Sequence, residues 1–347
     1  MTQTVESTGA ALAARPRVPL ATLPTPLEGG VRLPGGAPLL VKRDDLTGLG
    51  MGGNKARKLE FLCGAARAGG ADTVVTVGAA QSNHARMTAA ACARLGWQAH
   101  LVLGRSPAPG PPAGNQILSR LFGARLHVVD TEDWDDLEAA AEELAAELTA
   151  AGRRVEVLPM GGSTPVGALG FLAAWMELMD QCQRQGHRPS TVVTASSTGG
   201  THGGLLAGQA MCRAAGMDVP DLVAVGVAKT AADLTAEAGR IAAECLEAAG
   251  LPAGALGGVE VHVDQRAEGP GYAVPTADAD AAILWAARTG GWVLDRVYTG
   301  KALAGLLMMD GEGRFSADRP VVFWHTGGQP AVFAPGGVPE SGGWDVK

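Results

Sequence analysis

The segment TVVTVGAAQSNHARMTAAAC, residues 73–92, decides the fold class. Residues 73–77 form an apolar, β-branched run of the kind buried on both faces of a sheet, and Gly78 closes it. A short turn leads to Ser82, Asn83 and His84, which open an Ala-rich helical stretch reaching residue 95. Strand, tight turn and helix in that order make half of a parallel βαβ unit. Similar runs recur at 100–103, 125–129, 155–158, 191–194, 222–227 and 321–324. Helical patterns lie over 54–68, 82–95, 135–151, 165–184, 202–215, 230–249 and 276–289. The alternation predicts an α/β protein with two open, mainly parallel twisted sheets and helices on both faces. Breaker runs at 106–114 (SPAPGPPAG) and ending at 167 (PMGGSTPVG) read as loops. They suggest a smaller α/β domain at 60–167 and a larger one made of 1–59 plus 168–347.

The 347 residues leave room for two domains at roughly 150 residues each. Fifty glycines without a G-X-Y period exclude collagen, and 46% hydrophobic with 18% charged residues describes a folded chain. Lys and Arg number 28 against 35 Asp and Glu, a net charge of −7 with no basic block. That balance argues against a nucleic-acid partner and against a basic membrane anchor, and points to a small molecule. Cys63, Cys92, Cys182, Cys212 and Cys245 are odd in number and lack a CxxC pair, so neither a disulfide framework nor a metal site is expected. The first thirty residues lack a signal-peptide apolar core, and no stretch reaches the ~20 apolar residues of a membrane span. A cytoplasmic protein is the expectation.

Gly48, Gly50 and Gly53 satisfy G-x-G-x-x-G, but LLVKRDDLTG before them ends in charges and a turn where a dinucleotide site needs a strand. Four other places carry chemistry-bearing residues. In residues 42–61, Asn54 is a candidate helix cap, and Lys55 in the first turn opposes the helix dipole, with Lys58 on the same face. Ser82 is either a plain cap or, with Asn83, a ligand donor above the strand ends. Ser197, Thr198, Gly199, Gly200 and Thr201 join a strand to a helix, as a phosphate cradle or as a tight packing turn. Tyr272, Tyr298 with Thr299, and Thr326 stand at Gly- or Pro-marked turns, and both tyrosines of the chain are among them. His325 after an apolar strand reads as a core histidine.

Together these segments resemble the pyridoxal-phosphate enzymes of the tryptophan-synthase-β fold type, and within them the D-cysteine desulfhydrase and aminocyclopropane-carboxylate deaminase family. The run Gly52-Gly53-Asn54-Lys55-Ala56-Arg57-Lys58-Leu59-Glu60 matches the family's GGNKxRKLE, and Gln81 to Arg86 match QSNHxR. The resemblance implies that Lys55 carries pyridoxal 5'-phosphate through a Schiff base and later acts as base, with Lys58 a supporting charge. It implies that Asn83 bonds the phenolic oxygen, that Ser82 meets the substrate carboxylate or moves a proton, and that residues 197–201 cup the phosphate. Tyr272 and Tyr298 match the two active-site tyrosines, and Thr326 first, Thr299 second, match the partner of the ring nitrogen. A homodimer is implied as well.

The implied activity is β-elimination from a small amino acid, most directly D-cysteine to pyruvate, hydrogen sulfide and ammonia. Cysteate or an S-substituted cysteine is the near alternative, then ring opening of aminocyclopropane carboxylate, then a ligand-binding protein without turnover. Ring-opening deaminases of the family carry Glu where this chain has Thr299, and a neutral hydroxyl favours a protonated ring less than a carboxylate does. Two further departures are the short SPAPGPPAG run and Ser197-Thr198-Gly199 where many desulfhydrases have Gly-Ser-Ala.

Overall fold

The computed structural model describes residues 3–105, 110–131, 133–251 and 253–339. The first four residues of the 106–114 run therefore lie outside the described residues. In chain order the elements are α1 (Gln3–Ala13), β1 (Leu27–Arg32), β2 (Pro38–Arg43), α2 (Lys55–Ala68), β3 (Thr73–Gly78), α3 (Asn83–Leu95) and β4 (Gln98–Gly104). There follow α4 (Asn115–Leu121), β5 (Arg125–Val129), α5 (Trp134–Ala150), β6 (Val155–Leu158), α6 (Pro165–Gln185), β7 (Thr191–Ser196) and α7 (Gly200–Ala214). The chain ends with β8 (Asp221–Gly226), α8 (Ala231–Ala248), β9 (His262–Asp264), α9 (Ala277–Gly290), α10 (Thr299–Gly311) and β10 (Val321–His325).

Two sheets form, as the alternation predicts. One is six-stranded in the order β1-β2-β10-β7-β8-β9, the other four-stranded in the order β5-β4-β3-β6. Every pairing is parallel except β1 with β2. β3 and β7 are buried at every residue, which is why their sequences are continuously apolar or β-branched instead of alternating. On one face of the larger sheet α6, α7 and α8 pack around Trp175, Leu205 and Ile241. On the other face α9 and α10 pack around Ile283, Leu303 and Phe323. The smaller sheet is covered by α2 and α3 through Leu59, Leu62 and Met87, and by α5 through Leu137 and Ala141.

β2 departs from the sequence reading. The first part of LLVKRDD, through the charged Lys42 and Arg43, is a strand paired parallel with β10. Lys42 is wholly buried there because Thr25 O (2.8 Å), Glu177 Oε1 (2.5 Å) and Gln181 Oε1 (2.6 Å) accept its three protons. A 3-10 turn, Asp44–Leu46, then separates the strand from the glycines, so no dinucleotide-type junction forms.

Candidate active site

The carboxyl-terminal ends of parallel strands are where open α/β sheets place ligands. Here the ends of β3, β6, β7 and β10, from the two sheets, border one cavity of about 510 Å³. Gly78, Met160, Ser197 and Thr326 mark those four ends on its wall.

Lys55, the first residue of α2, is on the wall. The expected cap is corrected: the Asn54 side chain makes no capping bond and instead donates to Thr201 Oγ1 at 3.0 Å. The Asn54 backbone N–H donates to Thr326 O at 2.9 Å. Lys55 is therefore referenced to the ends of both β7 and β10. Burial, and then the charge of Arg86, lowers its amine to about 8.

Arg86 also explains the glycine turn. It is buried, and it donates to the carbonyls of Gly50 and Gly52, to Asn115 Oδ1 (2.9 Å) and to Asn83 Oδ1 (3.3 Å). Gly52 has φ +77, and a Cβ there would collide with Asp45 O, so the turn is built for close packing. Asn83 Oδ1 accepts a second bond from Asn115 Nδ2 at 3.0 Å, which leaves its amide N–H groups for the cavity that Asn83 lines. The structure shows the cap reading of Ser82, whose Oγ accepts from Ala85 N at 3.1 Å, and places the residue beside the cavity.

Ser197, Thr198, Gly199, Gly200 and Thr201 all line the cavity. Helix α7 starts at Gly200 behind Gly199 with no side-chain cap, so its first N–H groups are left for a ligand. Lys58 stands one layer behind this loop, off the cavity wall. Its Nζ donates to Gly161 O (3.0 Å) and Ser163 Oγ (3.2 Å), and Ser163 Oγ meets Thr198 Oγ1 at 2.7 Å. Burial, and then the neighbouring Lys55, pushes the Lys58 amine well below the usual lysine range. Ser163 is a site residue the sequence reading missed; its signal is the Gly-Gly-Ser-Thr run, which reads as a breaker.

Tyr272 and Tyr298 share one hydrogen bond, 2.6 Å between hydroxyls, on the cavity wall. Burial raises both phenols, Tyr298 well above the ordinary value. Thr299 is placed differently from its sequence role. It is wholly buried off the wall, and its Oγ donates to Asp295 Oδ2 at 2.7 Å and accepts from Asp295 N at 2.9 Å. Asp295, also missed, lines the cavity and accepts from the N–H groups of Val297 (2.8 Å) and Tyr298 (2.7 Å), fixing the start of α10. An acid three residues before Tyr298 was the readable sign. Thr326 is on the wall, and His325 behind it is wholly buried, accepting from Gly327 N at 3.3 Å on Nδ1.

A second cavity of about 530 Å³ adjoins the first. Trp134, Tyr272 and Tyr298 stand between them, and Ala79, Ala80 and Ala331 give the second an apolar lining.

The donors of the first cavity fit pyridoxal phosphate: an amine for its aldehyde, an uncapped helix terminus with hydroxyls for its phosphate, and amide and hydroxyl groups for its ring. Ser196 Oγ, buried with no protein partner among the described residues, adds one more donor on that wall. The family model for pyridoxal-phosphate dependent enzymes matches residues 18–327. The chain belongs to that family. It is 40% identical over 325 residues to a D-cysteine desulfhydrase of Klebsiella pneumoniae, covering 92% of this chain and 96% of the relative. A second desulfhydrase of that species is 39% identical over 327 residues with the same coverage. A crystal structure of an ACC deaminase homologue superposes with TM-score 0.85 at 35% identity, covering 95% of this chain and 97% of the other. A diaminopropionate ammonia lyase of Escherichia coli shares the fold at TM-score 0.64 and 17% identity, over 94% of this chain and 88% of that one. The enzyme thus has the two-sheet architecture of the pyridoxal-phosphate enzymes and uses that cofactor.

Proposed function

We propose that the enzyme is a carbon–sulfur lyase that converts D-cysteine to pyruvate, hydrogen sulfide and ammonia. The carrying observation is the Lys55 amine and the Tyr272–Tyr298 hydroxyl pair on the wall of one cavity, in a chain 40% identical to a D-cysteine desulfhydrase. Bound pyridoxal phosphate supplies the electron sink for a carbanion at Cα. Lys55, Asn83, residues 197–201 and Thr326 would hold it, with Lys58 and Ser163 bracing the phosphate loop from behind. Lys55 Nζ, with its lowered basicity, takes the Cα proton. The Cβ–S bond breaks with its electron pair on sulfur, and the tyrosine pair, kept protonated by its burial, supplies the proton that sulfur needs. Ser82 and the N–H groups it leaves at the start of α3 receive the substrate carboxylate. Water completes the release of pyruvate and ammonia.

The second cavity favours one further reading, an S-substituted cysteine whose substituent occupies the apolar compartment beyond the tyrosines. The division of the chain at 60–167 is part of the proposal and is supported by the four-stranded sheet lying wholly within that interval. So are a homodimer and a cytoplasmic location, the latter supported by five buried free cysteines. Among the described residues no helix is long and apolar enough to cross a membrane. The test is pyruvate and sulfide release from D-cysteine, L-cysteine, cysteate and aminocyclopropane carboxylate side by side. Sulfide from D-cysteine is expected to lead; no sulfide from either cysteine overturns the reading.

A further inference from the structure

Tyr272 rides on an irregular segment between β9 and α9 in which Gly269, Pro270, Ala273, Val274 and Pro275 are exposed. Ala273, directly after it, is held at φ +59, a conformation that residues with a side chain seldom adopt. Such a stretch does not by itself keep a phenol in register with another on a separate helix. The ring has two aromatic neighbours, Trp134 edge-on at 5.8 Å and Tyr298 at 6.2 Å.

What ties the segment down is Lys301. It follows Tyr298 by three residues on α10, is wholly buried, and donates to Glu268 O at 2.6 Å and Gly271 O at 3.0 Å. One turn of α10 therefore delivers both a phenol and the clamp on the chain carrying the other phenol. Burying an ammonium is costly, and the residues three and four on along the same helix face, Ala304 and Gly305, are buried and carry no polar side chain. Its acceptors are carbonyls of a largely exposed turn, which water would satisfy if the lysine were absent. The carboxylates of Glu268 and Asp295 favour the lysine's charge against the cost of burial, and the two carbonyl bonds fix the turn to its amine.

We propose that Lys301 is a positioning residue: by holding the backbone at 268 and 271 it seats the Tyr272 hydroxyl against that of Tyr298. Lys301 lines neither cavity. The inference rests on the tyrosine pair being the acid of the proposed elimination. Its effect then falls on leaving groups that need a proton and spares those that do not.

The experiment compares Lys301→Met holoenzyme with wild type on D-cysteine and on β-chloro-D-alanine, whose chloride leaves without a proton. Turnover of D-cysteine is expected to drop by roughly 10- to 100-fold, with β-chloro-D-alanine within about twofold and the cofactor absorbance unchanged. A second reading needs no turnover. Because the chain has two tyrosines, fluorotyrosine labelling gives two fluorine resonances, assigned with Tyr272→Phe and Tyr298→Phe. Lys301→Met is expected to shift or broaden the Tyr272 resonance. Equal losses on both substrates, or an unmoved Tyr272 resonance, overturn the proposal. If wild type releases pyruvate from neither substrate, the elimination reading fails, and the fluorine resonances still decide whether Lys301 seats Tyr272. Should Lys301→Met not fold, Lys301→Arg, which keeps donors but displaces them, goes through the same readings with the same criteria.

Discussion

In the proposed role Lys55 has to be neutral to attack the cofactor aldehyde, and its surroundings bring that about near physiological pH. Burial and Arg86 lower the amine to about 8, so it is cationic below that pH and neutral above it. Capture of the cofactor by apo-protein is therefore expected to quicken as pH rises through about 8 and then level off. Stopped-flow absorbance checks this, and a rate still climbing at about pH 10, the ordinary lysine range, contradicts it. The two threonines separate by a different measurement. Thr299→Val strips one hydrogen bond from the buried Asp295 carboxylate and one from the Asp295 backbone N–H, and is expected to cost about 1–3 kcal/mol of stability, seen as a lower Tm with the holoenzyme spectrum kept. Thr326→Val is expected to leave Tm nearly unchanged and alter cofactor absorbance or affinity, since its side chain faces the cavity. Sequence placed both threonines at turns, and only the family resemblance ranked Thr326 ahead of Thr299. Which one faces the cavity depends on how Asp295 winds the first turn of α10, a contact not encoded in either threonine.

Elements with one dominant cause were legible, and those stabilised by distant partners were not. The parallel strands β3, β4, β7, β8 and β10 announce themselves because burial on both faces demands continuous apolar sequence. β2 hides because its Lys42 is paid for by Glu177 and Gln181, some 135 residues away in sequence. α10 hides because its Tyr-Thr-Gly-Lys start reads as a breaker, whereas Gly300 is needed there: a Cβ would stand 2.7 Å from Asp295 O. The 197–201 loop was legible as a pattern and Lys58 as its support through the resemblance, yet the link through Ser163 was not, since it forms only when α2, the turn before α6 and the end of β7 come together. That brace predicts an outcome at α7. A Cβ on Gly200 would lie 2.8 Å from the backbone Ser163 Cα as well as 2.6 Å from Lys58 Nζ and Ser163 Oγ, so Gly200→Ala is expected to displace the loop. Loss of one or two phosphate contacts is expected to weaken cofactor binding roughly 10- to 100-fold, measured by fluorescence titration of apo-protein. Gly239 in α8 makes the control: a Cβ there meets nothing within 4 Å, so Gly239→Ala is expected to stabilise the protein by about 0.5–1 kcal/mol.

Across the whole molecule, α2 is anchored by a buried ion network that joins segments far apart in the chain. Arg57, two residues after Lys55, pairs with Asp44 at 2.8 Å and with Glu177 of α6 at 2.9 Å, and Lys42 of β2 joins at Glu177. Burial draws Lys42 below the usual lysine range even beside this carboxylate, so Arg57, charged at every working pH, is the partner that sets Glu177. The result is a Glu177 carboxyl lowered to about 2 from 4.5. A carboxyl depressed in the folded state adds stability that is fully present above its unfolded value and is lost as pH falls toward the folded one. The window is therefore about pH 4.5 down to 2, and a shift of that size corresponds to roughly 3 kcal/mol. Glu177→Gln removes this titration while leaving Arg57 and Lys42 buried with less compensation, so it is expected to be less stable at neutral pH by about 3–5 kcal/mol. Its stability should then fall less steeply than that of wild type between about pH 4.5 and 2. Urea denaturation at a series of pH values reads both quantities. Parallel pH curves for the two proteins in that window would show that Glu177 does not carry the charge that holds Arg57, and with it the first turn bearing Lys55, in place.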